Sequence, residues 1–286
     1  MKRILILMLT LALFTSMAAG CSDGNSKSKV LLVVSFGTSY NDNRELSIGS
    51  IEKALEKAYP DYEIRRAFTS QIIIDKLKSR DGLEIDNVEQ AMDRLVKDNV
   101  KEVIIQPTHV MNGFEYDDVV AEVSPYSDKF DTFKIGTSLL IADSDYEEIV
   151  SIVTEETKSH NTDGTVIVFM GHGTEHAANA TYAKFQQSLF AAGYDNYFIG
   201  TVEAEPDFDE VLALVKESGA TKVVMLPFMI VAGDHANNDM AGDEDDSWKS
   251  VFEAEGFEVE CILTGLGQYK GIHDLFVKHV GETIAK

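Results

Sequence analysis

Three polar residues stand where three apolar runs stop. His172 follows "VIVFM" and sits between Gly171 and Gly173, Glu203 follows "NYFIGTV", and His235 follows "VVMLPFMIV" within "AGDHANND". Short apolar runs bounded by turn residues read as strands buried in a parallel sheet. Open parallel sheets bind their ligands outside the carboxyl ends of the strands. Two imidazoles and a carboxylate delivered to one such edge are a ligand set for cobalt, iron, nickel or zinc, with coordination positions left open. The flanking glycines let the backbone turn sharply and come close, so that the histidine is the tip of the turn.

Each residue also has a plainer reading. A histidine after a strand can be ordinary hydrogen-bonded structure. Glu203 can serve as a negative charge near a helix N-terminus, although Glu205 and Asp207 fit that task at least as well. His176, one helical turn beyond His172, is open to three readings: a fourth ligand, support for the first ligands, or a solvated side chain. The loop "GDEDDS", residues 242–247, reads as a charged loop or as a weak cation site. His160, His273 and His279 have no supporting context, whereas His109 ends a strand and is harder to set aside.

The elements that would carry these residues alternate in type. "KVLLVVSFGTS", "YEIRRAFTS", "KEVIIQPTHV" and "FKIGTSLLI" read as strands, with helices over 43–59 and 87–98. The order then begins again with "TVIVFMGHGT", "NYFIGTVEAEP", "TKVVMLPFMIV" and "FEVECILTGLG", with helices near 177–192 and 207–218 and another closing the chain. The pattern predicts an α/β fold of two similar lobes, each a mostly parallel sheet flanked by helices, around a central cleft. The lobes are expected over 30–145 and 146–286, the second carrying the metal site.

The halves look like copies. Phe36-Gly37-Thr38 aligns with His172-Gly173-Thr174, and "EVIIQP" aligns with "KVVMLP", which puts Glu115 opposite His235. Aligning Ile64 with Ile199 puts Phe68 opposite Glu203. One half thus carries His172, Glu203 and His235 where the other carries Phe36, Phe68 and Glu115.

The chain has 286 residues, 44% of them hydrophobic, enough for one large domain or two ordinary ones. Its start is different in kind. Lys2 and Arg3, an apolar stretch from Ile4 to Phe14 and the small residues of "MAAGC" read as a signal peptide over 1–20. The cleavage pattern resembles that of bacterial lipoproteins. Cys21 then becomes a lipidated N-terminus, residues 21–29 a tether, and the location an exported, membrane-anchored lipoprotein on the periplasmic or cell-surface side. Removing residues 1–20 takes away two cations and no acid, which deepens the formal net charge from −23 to −25. A surface so acidic argues against nucleic acid, whose phosphates require Lys and Arg. With Cys21 modified, Cys261 is left without an intrachain partner.

The stretches "SFGTS", "QPTHVMNGFEYDDV", "GHGTEHAAN", "TVEAEP" and "LPFMIVAGDHANNDMAGD" resemble those of the single-subunit class II chelatases, and most closely the anaerobic-type sirohydrochlorin cobaltochelatases. The likeness runs over nearly all of residues 28–285. It implies two α/β lobes around a tetrapyrrole cleft and ATP-independent insertion of Co2+ into sirohydrochlorin on the way to cobalamin. It also implies a metal-binding triad at His172, Glu203 and His235 and a further active-site acid at Glu115. Fe2+ and Ni2+ are alternative ions, and homo-oligomerisation is left open. The export signal departs from a family that is mostly cytoplasmic. It admits a second reading, an exported haem- or metal-binding lipoprotein that serves tetrapyrrole or metal uptake.

Insertion exchanges one divalent ion for two pyrrole protons. On this reading His172 and His235 hand over the metal, and Glu115 accepts a proton from the other lobe. Because only neutral imidazole binds metal, activity should fall at acid pH. Phe36, Phe68, Phe114 and Met229 are candidates to pack on the macrocycle, with core packing as the alternative. Arg65, Arg66 and Lys184 are candidates to meet its carboxylates.

Overall fold

The computed structural model describes residues 28–286; the expected signal peptide and Cys21 lie outside the described residues. The first half contains β1 (Lys29–Ser35), α1 (Asn41–Leu46), α2 (Ile48–Ala58), β2 (Glu63–Phe68), α3 (Gln71–Asp81), α4 (Val88–Lys97), β3 (Glu102–Pro107), α5 (Phe114–Val123) and β4 (Thr132–Ile135). After α6 (Asp143–Glu156), the second contains β5 (Thr165–Gly171), α7 (Ala180–Ala191), β6 (Tyr197–Thr201), α8 (Phe208–Ser218), β7 (Lys222–Pro227), α9 (Trp248–Ala254) and β8 (Glu258–Cys261), and α10 (Lys270–Ala285) closes the chain.

The strands form two separate four-stranded sheets, ordered β2-β1-β3-β4 and β6-β5-β7-β8. Every pairing is parallel. The central strands β1 and β5 are buried along nearly their whole length, as expected of strands covered by helices on both faces. Cys261 at the end of β8 is a free, partly buried thiol.

The sequence pattern understates the helices. The stretch 43–59 is two helices broken at Ser47, and α3, α5, α6 and α9 are additional. Helices also cross between the halves. α6 packs on α7, and α10 returns to pack on α2, β3 and β4. Tyr59 donates to Val277 O at 2.6 Å, and Lys134 to Ile284 O at 2.7 Å. One apolar cluster accordingly joins Leu31, Ile51 and Ile104 to Phe169, Leu226, Ile272 and Phe276.

The repeat can be checked bond by bond. Val34 faces Pro107 as Met170 faces Pro227, which equates Phe36 with His172. The next segment runs in step: Thr108 donates to Val34 O as Phe228 donates to Met170 O, so an ungapped count equates Glu115 with His235. The middle strands need a correction. Ser35 faces Phe68 and Gly171 faces Thr201, so Phe68 matches Thr201, and Ser70 is the counterpart of Glu203. Ser70 N–H donates to Phe36 O at 3.3 Å, as Glu203 N–H donates to His172 O at 2.9 Å.

Candidate metal centre

Gly171 ends β5 against Tyr182, where a Cβ would stand 2.3 Å from a ring carbon. Gly173 has φ +85°, and a Cβ there would meet Ala204 N and Thr201 Oγ1 at 2.7 Å. Tyr182 Oη accepts the Gly173 N–H at 3.1 Å. His172 is the exposed residue between these two constraints. Its Nδ1 lies 2.8 Å from Gly173 O, and since a carbonyl can only accept, this nitrogen carries the proton. The lone pair of the neutral ring is then on Nε2.

Glu203 lies two residues past β6, in a turn closed by Thr201 Oγ1, which donates to Ala204 O. The helix that follows does not need it. Asp207 caps α8 by accepting from Glu210 N–H at 3.0 Å, which removes the helix-terminus reading of Glu203. The carboxylate is exposed, with Oε2 3.6 Å from His172 Nδ1.

His235 opens a single π-type turn, Ala236–Met240, of a kind often found at functional sites. The turn brings Asp239 back so that its Oδ2 accepts from His235 Nδ1 at 2.7 Å, again leaving Nε2 as the free ligand atom. The His172 and His235 rings meet edge to face at 4.8 Å between centroids. His172, Glu203 and His235 each offer one ligand atom, all within 4.8 Å of one another. Two imidazoles with fixed tautomers and one solvent-facing carboxylate can bind a divalent ion and leave its remaining positions to another ligand.

The loop that carries His235 is tied to the other lobe. Asn43 Oδ1 accepts Ala232 N–H at 2.8 Å. Tyr40 hydrogen-bonds Asp234, and its phenol pKa is raised by burial and then by that carboxylate. Across the site, Glu115 is exposed in the first turn of α5 and accepts from Thr69 Oγ1 at 2.9 Å. Its neighbours reach the His172 loop: Phe114 packs edge-on against His176 at 4.9 Å, and Asp117 Oδ2 is 3.4 Å from His176 Nε2. His176 is not on a helix with His172. It caps the short turn Ala177–Asn179 through Nδ1, which accepts from Ala178 N–H at 3.0 Å, and it stands outside the ligand cluster.

Other sequence candidates fall elsewhere. Phe68 is fully buried and belongs to the core, while Phe36 and Phe114 are exposed and Met229 is partly buried. Arg65 is held by Glu63 and Asp98, Arg66 binds Glu52 through two nitrogens, and Lys184 is held by Asp143 over the Tyr146 ring. These cations are already neutralised within the fold. Both ring nitrogens of His109 are enclosed without a partner, and burial pushes its pKa down to about 4. Asp239, Thr69 and the Tyr40–Asn43 contacts were missed in the sequence; of these only Asp239, four residues after His235, carries a readable spacing.

Residues 29–285 match the family model described as cobalt chelatase (CbiK). The chain is 40% identical over 256 residues to the sirohydrochlorin cobaltochelatase of Salmonella typhimurium, covering 90% of this chain and 96% of that one. It is 29% identical over 259 residues to the sirohydrochlorin cobaltochelatase CbiKC of Nitratidesulfovibrio vulgaris, covering 90% and 91%. Among solved structures it resembles SirB from Bacillus subtilis with Fe3+, with a TM-score of 0.61 at 15% identity, covering 90% of this chain and 96% of that chain, a likeness of fold. With a family match over nearly its whole described length and a curated relative at 40% identity, the chain belongs to the cobalt chelatase (CbiK) family.

Proposed function

We propose that the protein is a metal chelatase that inserts Co2+ into sirohydrochlorin without ATP. The observation that carries this reading is that His172, Glu203 and His235 offer ligand atoms within 4.8 Å of one another in a chain 40% identical to a sirohydrochlorin cobaltochelatase. Cobalt is here a substrate. The two imidazoles and the carboxylate hold the ion with positions open toward the macrocycle, and pyrrole nitrogens replace the protein ligands in steps. Each insertion takes in one divalent ion and releases two protons. Glu115, oriented by Thr69 on the facing lobe, is the group assigned to accept a proton.

The test is metallation of sirohydrochlorin by the purified protein with Co2+, followed by absorbance. Rapid formation of the cobalt complex is expected. A protein that binds finished haem tightly but never accelerates metallation would overturn the reading in favour of an uptake protein.

Further proposals rest on the sequence and on ligand chemistry. The triad also accepts Fe2+ or Ni2+. The chain is exported and anchored through a lipidated Cys21. Membrane fractionation of wild type and Cys21→Ser tests this, and equal partitioning of the two would refute it. Among the described residues no helix is long and apolar enough to cross a membrane.

A further inference from the structure

Beside the His235 loop lies a cavity of about 720 Å3. Asp42 and Leu46 of α1 and Lys76 and Arg80 of α3 line it from one lobe, and Asn237 and Leu263 from the other. The cavity wall shares one loop with the candidate metal centre. Ala232 and Asn237 both line the cavity, and His235 lies between them in sequence. The Asn237 amide donates to Ala232 O at 3.3 Å and to Gly233 O at 2.7 Å, closing the loop on itself.

The lining has two characters. Leu46 and Leu263, 55% and 41% exposed, supply its apolar part. Arg80 is fixed by Ser39 O at 2.7 Å, by Asn41 Oδ1 at 2.8 Å and by its neighbour Asp81. The Lys76 ammonium has no partner among the described residues. Lys53, Lys57, Lys97, Lys101 and Lys286 are equally unpaired, whereas Arg65, Arg66, Lys184 and Lys222 are held by carboxylates, and of the unpaired lysines only Lys76 lines the cavity. Asp42 leaves the wall only partly cationic. A mixed wall, with Leu46 and Leu263 beside polar groups, a free ammonium and a braced guanidinium, suits the carboxylate-bearing rim of a macrocycle.

We propose that this cavity receives the carboxylate-bearing rim of the tetrapyrrole, with Lys76 as its main electrostatic contact and Arg80 as a second. The proposal rests on the function proposed above and names residues that select the substrate. Lys76 replaces Arg65, Arg66 and Lys184 as the cation that reads the acid side chains. The loop that seats the rim also carries His235, between Ala232 and Asn237.

The test compares wild type with Lys76→Glu, a change at an exposed position of α3 that breaks no ion pair. Binding of metal-free sirohydrochlorin is followed by fluorescence quenching, alongside its fully methyl-esterified form. Lys76→Glu should weaken sirohydrochlorin binding and raise KM by about tenfold at low ionic strength, and by less at high salt, with kcat and Co2+ affinity unchanged. The ester should bind both proteins alike. Equal sirohydrochlorin affinity in the two proteins, or an equal loss for the ester, would overturn the proposal. If wild type binds sirohydrochlorin but never metallates it, the enzymatic reading fails, and the binding comparison still decides the role of Lys76.

Discussion

The two histidines of the centre are useful because their other nitrogens are occupied. Gly173 O fixes the His172 tautomer and Asp239 fixes that of His235. Such partners raise ligand basicity, and their loss costs metal affinity. Asp239→Asn should therefore weaken Co2+ binding by roughly 10–100-fold while the far-ultraviolet circular dichroism stays unchanged. His235→Ala should remove tight binding, and Glu115→Ala should leave Co2+ binding intact while slowing metallation. Isothermal titration with Co2+ together with the metallation rate separates these outcomes; an Asp239→Asn protein with wild-type affinity would refute the role given to that carboxylate. His109 supplies a pH test. Its pKa is depressed to about 4 from an ordinary 6.5 by burial, so below pH 6.5 the unfolded chain takes up a proton that the folded one refuses. The contribution is whole above pH 6.5 and falls as the pH drops toward 4, reaching about 2 kcal/mol lost near pH 5. His109→Met, which copies the matching Met229, should lose less stability than wild type between pH 7 and pH 5 in urea titrations. The three candidate ligands were legible because each lies within four residues of the end of an apolar run. The partner assigned to Glu203 was misread by two residues, since a slip of two leaves the alternation of a strand unchanged and only the hydrogen-bonded register exposes it.

At the scale of elements, the order of strands was readable because β1, β3, β5 and β7 are apolar runs bounded by turn residues. Helices α3 and α5 were not, because their apolar residues bunch in sequence, Ile72 to Ile74 in one and Val119 to Ala121 in the other. Such bunching gives no helical period to read. α6 did carry the period, at Tyr146, Ile149, Val150 and Val153, but it falls where a joint between lobes was expected. The omission of α3 mattered most, since that helix brings Lys76 and Arg80 to the cavity. The β5–α7 connection shows how an element end dictates a functional loop. Gly173 combines a left-handed backbone with contact to Thr201 and Ala204, so Gly173→Ala must strain φ and push the β6 turn that holds Glu203. A loss of about 1–3 kcal/mol in stability is expected, together with weaker Co2+ binding, because one substitution displaces two of the three ligands. A Gly173→Ala protein of wild-type stability and metal affinity would show that the loop tolerates another path.

At the scale of the whole molecule, the repeat suggests two independent lobes, and the packing argues otherwise. The sheets are separate, yet α6 packs on α7, α10 crosses back to α2, β3 and β4, and a single apolar cluster contains side chains from both halves. Neither half can unfold without uncovering part of the other's core. This exchange was illegible in the sequence because an amphipathic stripe reports that a face is buried and not which sheet buries it. It also serves the proposed reaction, since a metal held by one lobe and a proton acceptor on the other must keep a fixed separation. The prediction is one cooperative unfolding transition. Trp248 is the only tryptophan and lies in the second half, buried against Phe208, so its fluorescence follows that half alone. Far-ultraviolet circular dichroism follows both. The two signals should give the same urea midpoint, as for a two-state system. Phe276→Ala, at a fully buried position of α10, should cost about 3–5 kcal/mol and lower both midpoints together. If the fluorescence midpoint stayed in place while part of the circular dichroism change moved to lower urea, the lobes would be separable units, and the fixed separation across the cleft would have to come from contacts at the site itself, those of Asn43 with Ala232, Tyr40 with Asp234, and His176 with Phe114 and Asp117.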